Sequence, residues 1–351
     1  LQEIVRSGAI GAAAADRLAC LDGWRGMAIL LVLLGHFAPG APRGLGGVGV
    51  DCFFVLSGRL MAEILIVRRS DLPTFFVRRA SRILPALAVF VLFLLPALLA
   101  APAYESRGDT LLGAAGALSF FQNYIPREHI VGMFEHTWSL AVEEHSYLIL
   151  ALVALLTVRS RRAAGVAALL LAAAAMLNGL RLGLLSAADG FEYWRTDVRA
   201  ASVLLSFAAW LWVEPLRRSL RGRAAAWACP SFLAFGLTLE IAPAAPDWLR
   251  FTAGTASLVV AVATLDVAAV RFRGLFEMRW LTWLGLVSYS LYLWQQPFYV
   301  AVMSDMPLLI CLPIAFACAI WSHYRVERPA RARINALFDA RRAPRPAATA
   351  A

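Results

Sequence analysis

The sequence predicts an all-α integral membrane protein, a bundle of about ten transmembrane helices with both termini cytoplasmic. Three observations carry this expectation. Of 351 residues, 60% are hydrophobic and only 16% charged, and the mean hydropathy is +0.67, which does not fit a soluble chain of this length. Apolar runs of about 17–22 residues recur, each long enough to cross a bilayer. The 33 basic residues, all Arg, cluster in alternate loops, which is the signal that orients membrane spans.

The spans fall at about 20–38, 48–67, 82–100, 138–157, 163–184, 199–213, 227–243, 250–270, 281–303 and 307–325. Residues 1–19 read as a cytoplasmic arm, 20–328 as the transmembrane domain and 329–351 as a largely disordered cytoplasmic tail rich in Ala, Pro and Arg. The first apolar run is followed by no small-residue cleavage site and is taken as a retained span. Arg68, Arg69, Arg78, Arg79 and Arg82 mark the first inner loop. Arg159, Arg161 and Arg162 mark the second, Arg217, Arg218, Arg221 and Arg223 the third, and Arg271, Arg273 and Arg279 the fourth. The last span leads into Arg325, Arg328, Arg331, Arg333, Arg341, Arg342 and Arg345. Outer loops hold Arg43 and then acid-balanced stretches with Glu105, Asp109, Asp189, Glu192, Asp247 and Asp305. Reading 109–124 as an eleventh span would reverse every later loop, so it is expected to be an interfacial or re-entrant helix.

The net charge of +10 would suggest nucleic acid for a soluble protein; here it is orientation signal, and no nucleic-acid partner is expected. Cys20, Cys52, Cys229, Cys311 and Cys318 form no CxxC and no Cys/His cluster. Neither a disulfide framework nor a metal is expected.

Within the first span, LDGWRGMAILLVLLGHF, Arg25 and His36 stand eleven residues apart. That is three turns plus about 20°, so they share one helix face about 16 Å apart. Ionisable groups inside a membrane tend to face a protein interior and serve function; the bland alternative is that both snorkel to opposite headgroup layers. Span direction converts position into depth. His36, Glu143 and Asp51 fall in the outer half, with Asp197, Arg199, Tyr292, Gln295 and Gln296. A His beside a carboxylate is a general base for a hydroxyl group, and His36 with Glu143 is the expected pair. For Asp51 and Asp197, polar contacts that merely hold the bundle compete with function.

In the inner layer, Arg78 and Arg82 share a helix face with Arg79 beside them. Such a cluster can hold phosphates through charge-assisted bonds, and the positive-inside rule accounts for it equally well. Arg59, deep in the second span, is expected to be neutralised by Glu63 four residues on. Glu327 is expected to pair with the arginine cluster.

The stretches LDGWRGMAILLVLLGH, GGVGVDCFFVLSG, FFVRRASRILP, HTWSLAVEEHSYL, YWRTDVRA, LGLVSYSLYLW and HYRVERPAR span about 20–333. Seven in this order resemble the membrane acyltransferase-3 family, bacterial O-acyltransferases that modify surface polysaccharides and other extracytoplasmic acceptors. The resemblance implies an inner-membrane enzyme passing an acyl group, acetyl or short, from cytoplasmic acyl-CoA to a hydroxyl beyond the membrane. The acceptor would be a glycan, a lipid-linked sugar or similar. His36 and Glu143 take the catalytic positions. Arg25, Arg78, Arg79 and Arg82 fall where coenzyme A phosphates bind. Asp51, Trp138, Ser139, Arg199, Tyr292 and Gln295 are supporting or acceptor-side positions.

Three positions depart from the pattern. Gln295 stands where the family usually has His, Arg59 where it usually has an apolar residue, and His145 where Gln or Trp is usual. Many relatives carry a further esterase-like domain, and this chain is expected to act alone or with separate partners. The rival reading is a proton-coupled transporter or exporter of a lipid-linked or small polar substrate. No inverted repeat is visible in its favour.

Overall fold

The computed structural model describes residues 8–42, 44–101, 106–185, 194–216 and 223–342. Arg43, Glu105, Asp189, Glu192, Arg217, Arg218, Arg221 and Arg345, named above for topology, lie outside them. Among the described residues the chain is helical throughout, with no strand.

The first helix, α1 (Gly8–Phe37), runs through the expected arm into the first span. Gly44, with φ of 90°, makes the turn into α2 (Leu45–Met61), a left-handed conformation that favours glycine. A π-helical stretch, Ala62–Val67, extends α2. Next comes α3 (Leu72–Ala100), whose start is set by the sequence Asp-Leu-Pro. The Asp71 side chain accepts from the Thr74 amide at 3.1 Å, and Pro73 sits where no amide partner is required. In the expected interfacial stretch, α4 (Arg107–Ser119) is capped by Ser106. Thirteen residues give about 20 Å, too short to cross.

A single turn, α5 (Gly132–Glu135), leads into α6 (Trp138–Leu156), followed by α7 (Arg161–Leu185), α8 (Thr196–Leu216) and α9 (Arg223–Ile241). The next stretch is broken into α10 (Asp247–Leu249), a π-turn Arg250–Gly254, α11 (Thr255–Ala263), α12 (Leu265–Arg271) and α13 (Arg273–Phe276). The chain closes with α14 (Arg279–Met303), α15 (Leu308–Ser322), a π-turn His323–Glu327 and α16 (Arg328–Arg342).

All ten predicted stretches fall on helix. Among the described residues six helical segments are long and apolar enough to cross a membrane, and a seventh if α11 and α12, bent by 56°, count together. The other predicted stretches are shorter or more polar. The polar face of α14 turns inward, with Ser288, Ser290, Gln295 and Gln296 all buried. Leu92 and Phe93 on α3, Leu152 and Leu156 on α6 and Leu170 and Leu177 on α7 point outward. An apolar exterior around a partly polar interior is what lipid requires of a helix bundle.

Contacts join residues assigned to the same side. At one end of the bundle, Arg159 donates to the Arg69 carbonyl at 2.6 Å and Arg161 pairs with Glu214 at 2.8 Å. At the other end, Asn123 donates to Thr196 at 2.8 Å and Asn178 to Asp197 at 2.9 Å.

Backbones meet directly where glycine allows. A Cβ on Gly285 would lie 1.8 Å from the Asp22 carbonyl oxygen, and one on Gly58 2.0 Å from that of Val203. The second contact seats α2 against α8 beside the candidate site. Gly58→Ala should therefore lower stability by about 3 kcal/mol through overpacking, read as a fall in the thermal midpoint of the purified protein.

Three expectations are corrected. The tail is helical through Arg342 and docks on α3, because its Asn335, Asp339 and Arg342 find partners there. Arg59 pairs with Asp266, not Glu63. It also donates to the Val262 carbonyl at 2.5 Å beside the break between α11 and α12, and lies 4.2 Å over the Trp210 ring. Glu63 faces Arg68 and Trp210 instead. Glu327 binds His323 at 3.0 Å and Ser290 at 2.9 Å within its own end of the bundle, so it is not free for the arginine cluster.

The α16 dock is pH-sensitive at one point. Arg342 holds the Asp71 carboxyl down at about 2 from 3.8, with help from the Thr74 amide. A depressed carboxyl contributes fully above its unfolded value and is lost as pH falls through its folded one. Spin labels on α3 and α16 should keep their separation above about pH 4 and move apart between about pH 4 and 2.

Candidate active site

The first span presents its two polar residues to two different neighbourhoods. Arg25, near its start, forms an ion pair with Asp22 at 2.8 Å. Its side chain also lines a cavity of about 50 Å³ with Arg79, Arg82, Glu143, Ser57 and Tyr289, walled by Leu56, Leu60, Ile83 and Leu140. Three guanidinium groups thus meet one apolar-walled space. Arg82 makes no hydrogen bond or ion pair among the described residues and is only partly buried. Arg78 lies at the outside, where Asp339 takes its Nη2 at 2.7 and 2.8 Å.

Glu143 belongs to this arginine layer. Arg79 approaches it at 3.1 Å and Glu144 at 3.5 Å. Ser57 and Tyr147 also donate to the Glu143 carboxylate, and the Arg79 guanidinium lies 3.9 Å over the Tyr147 ring. The expected pairing of Glu143 with His36 is therefore corrected. A buried carboxylate is held by the cation that can neutralise it, and Arg79 reaches from α3 to do so.

His36 is oriented by amides instead. Its Nδ1 lies 2.7 Å from Gln295 Oε1. The Gln295 amide group donates to the Tyr292 carbonyl at 3.4 Å and to Gln296 Oε1 at 3.3 Å, and Gln296 donates to the Gly132 carbonyl at 2.9 Å. This chain assigns Gln295 Oε1 as acceptor, so Nδ1 carries the proton and Nε2 the lone pair. The imidazole stacks on Tyr299 at 4.2 Å, and its Nε2 edge faces Gly46, where a Cβ would stand 3.4 Å away. One neutral glutamine thus fixes the tautomer.

The other predicted residues gather nearby or serve the bundle. Tyr292 donates to the His136 carbonyl at 2.9 Å and lies 2.7 Å from Ser139 Oγ, tying α14 to the start of α6. Trp138 stacks on Trp194 and meets Phe54 edge-on. Asp51 and Arg199 form an ion pair with both side chains 2% exposed, joining α2 to α8. His145 binds Thr196 at 2.8 Å. Sequence reasoning missed the part that Ser57 and Tyr147 play here. Tyr147 stands four residues from Glu143 on one helix face, and that spacing was the available signal.

The geometry thus places an arginine-lined cavity and a tautomer-fixed histidine in one multi-pass helical membrane protein. The chain belongs to the acyltransferase-3 family: the family model for its acyltransferase domain matches residues 18–322. It is an acyltransferase enzyme, which sets the transporter alternative aside.

Among its relatives, the protein named "Putative membrane-bound transacylase BcsY" of Komagataeibacter xylinus is 30% identical, over 79% of this chain and 72% of that protein. The "Putative peptidoglycan O-acetyltransferase YrhL" of Bacillus subtilis is 30% identical over 89% of this chain and 54% of its own. The O-acetyltransferase OatA of Staphylococcus aureus is 26% identical over 81% and 51%. The chain therefore spans about half the length of the latter two. No solved structure is a significant match.

Proposed function

We propose that the enzyme is a transmembrane O-acyltransferase of the bacterial inner membrane, with ten spans and both termini cytoplasmic. It moves an acetyl or short acyl group from cytoplasmic acyl-CoA to a hydroxyl on an extracytoplasmic acceptor such as a glycan. The observation that carries this reading is the free Nε2 of His36, its tautomer set by Gln295. The separation of this nitrogen from the arginine layer supports a donor on one side and an acceptor on the other. Same-side contacts at both ends of the bundle support the ten crossings. The names of two relatives, which specify O-acetyl transfer, support the hydroxyl acceptor.

Arg25, Arg79 and Arg82, with Arg78 at the rim, hold the donor phosphates, and Leu56, Leu60, Ile83 and Leu140 enclose the thioester arm. Two routes then serve His36. As general base, Nε2 takes the proton of the acceptor hydroxyl while its oxygen attacks the thioester carbonyl. The C–S bond breaks, and the thiolate leaves to be protonated. As acyl carrier, Nε2 itself attacks, releasing the thiol and forming an acyl-imidazole that the hydroxyl then opens. Both end in an ester, a free thiol and a neutral imidazole. Purified protein incubated with labelled acyl-CoA should release coenzyme A beyond one equivalent per enzyme only when a glycan acceptor is present. Movement of a substrate across the membrane without coenzyme A release would overturn the proposal.

A further inference from the structure

The C-terminal helix α16 lies wholly beyond the 18–322 stretch that the family model covers, yet it packs on the helix that carries the arginine cluster. The contacts form an antiparallel ladder with one rung per turn. Arg342 reaches Asp71 at 2.6 Å and Thr74 at 2.8 Å, Asp339 takes Arg78 at 2.7 Å, and Ser81 donates to Asn335 at 3.0 Å. Extending this register by one turn brings Arg331, four residues before Asn335 and on the same helix face, opposite the turn of α3 that holds Arg82.

Arg331 and Arg82 interact electrostatically, as do Arg82 and Arg25. Neither Arg331 nor Arg82 has a hydrogen bond or ion pair among the described residues. The nearest acid of this segment, Glu327, is already held by His323 and Ser290. Glu327 offsets part of the charge of Arg331 and Glu143 part of that of Arg82 without bonding to either; the two like charges still repel, and an anion placed between them reverses the sign of their interaction. One rung away, the Asp339 carboxylate occupies the Arg78 guanidinium with two oxygens, as a phosphate would. Both partners of that pair are exposed, with 42% and 55% of their side chains accessible, so exchanging one anion for another costs little desolvation.

We propose that α16 is the second wall of the donor site. Arg331 joins Arg82 in gripping the pyrophosphate of a coenzyme A-type nucleotide, and a donor phosphate displaces Asp339 from Arg78. This rests on the acyl-CoA reading above and extends it to residues beyond the 18–322 match. The helix then senses whether the site is filled: empty, Asp339 latches it to α3; occupied, the phosphates bridge the two helices through arginine.

The test is isothermal titration of the full-length protein in phosphatidylcholine nanodiscs with coenzyme A and, separately, with inorganic pyrophosphate. Arg331→Ala should weaken both by at least about tenfold, the effect of losing a charge-assisted contact. Asp339→Asn should tighten both several-fold, because Arg78 no longer has to be taken from a carboxylate. Arg341→Ala on the same helix should change neither. Unchanged thermal midpoints establish that the variants are folded.

Wild-type affinity in Arg331→Ala, or weaker binding in Asp339→Asn, overturns the inference and leaves the donor reading standing. If the wild-type protein binds neither probe, the donor reading falls and the inference with it. Repeating the titration with phosphatidylglycerol in the discs separates a soluble nucleotide from a lipid headgroup: the tenfold ratio should persist, and its disappearance assigns the arginines to lipid and overturns the proposal.

Discussion

His36→Ala is expected to abolish acyl transfer while the protein still inserts and folds. The side chain is partly exposed, makes one hydrogen bond, to Gln295, and stacks on Tyr299. Its loss therefore removes little packing compared with a core residue. What it removes is a nitrogen whose lone pair is free and whose tautomer Gln295 fixes. The size of the defect also separates the two routes. A general base contributes about 10²–10⁴-fold, so a trace of turnover at that level would identify proton transfer. A residue that carries the acyl group leaves no such remainder, and an acyl-imidazole should be trapped from the wild-type enzyme by rapid acid quench. Near-normal coenzyme A release from His36→Ala membranes would remove His36 from the mechanism altogether.

The second large effect is expected at Glu143, and on the donor side. Glu143→Ala takes away the closest carboxylate of Arg79 together with the acceptor for Ser57 and Tyr147. Breaking a buried ion pair by removing one partner costs about 3–5 kcal/mol. Glu144, at 3.5 Å from Arg79 Nε, offsets part of this, so a stability loss near the lower end is expected, with insertion retained. Activity should be lost, because Arg79 then shifts toward Glu144 and the cavity loses its shape. The informative measurement is coenzyme A binding. Glu143→Gln should weaken it by at least about tenfold while leaving the hydrogen-bond network of His36 intact. Donor binding at the wild-type level with loss of activity would instead return Glu143 to the acceptor side.

Much of this architecture was legible in the chain. Repeated apolar runs and alternating arginine loops located every long helix, because the bilayer imposes a length and the loops record the charge asymmetry. The eleven-residue spacing of Arg25 and His36 separated the two ends of the first span, since rise per residue converts position into distance along the helix. The placement of Arg79 and Arg82 near the start of α3, at the mouth of the cavity, followed from the same arithmetic.

Partnerships were not legible. Glu143 was expected beside His36 because both were reckoned to the same depth, yet depth says nothing of which neighbouring helix a side chain meets. Arg59 had Glu63 at the right helical spacing and bonds Asp266, 207 residues away. A residue so deeply buried takes the carboxylate that the packing of α2 against α11 and the break into α12 deliver, and the spacing of charges along one helix cannot reveal it. The tail was read as disordered from its composition, but a polar helix gains stability once α3 offers it three successive partners. Sequence alone thus determined that the chain is helical and where its apolar segments lie. Tertiary structure alone decided that Gln295, not a carboxylate, orients His36, and that Arg79 claims Glu143. The reason is physical: span length and depth are local properties, whereas neutralising a buried charge depends on which side chains the packed bundle brings within about 3 Å.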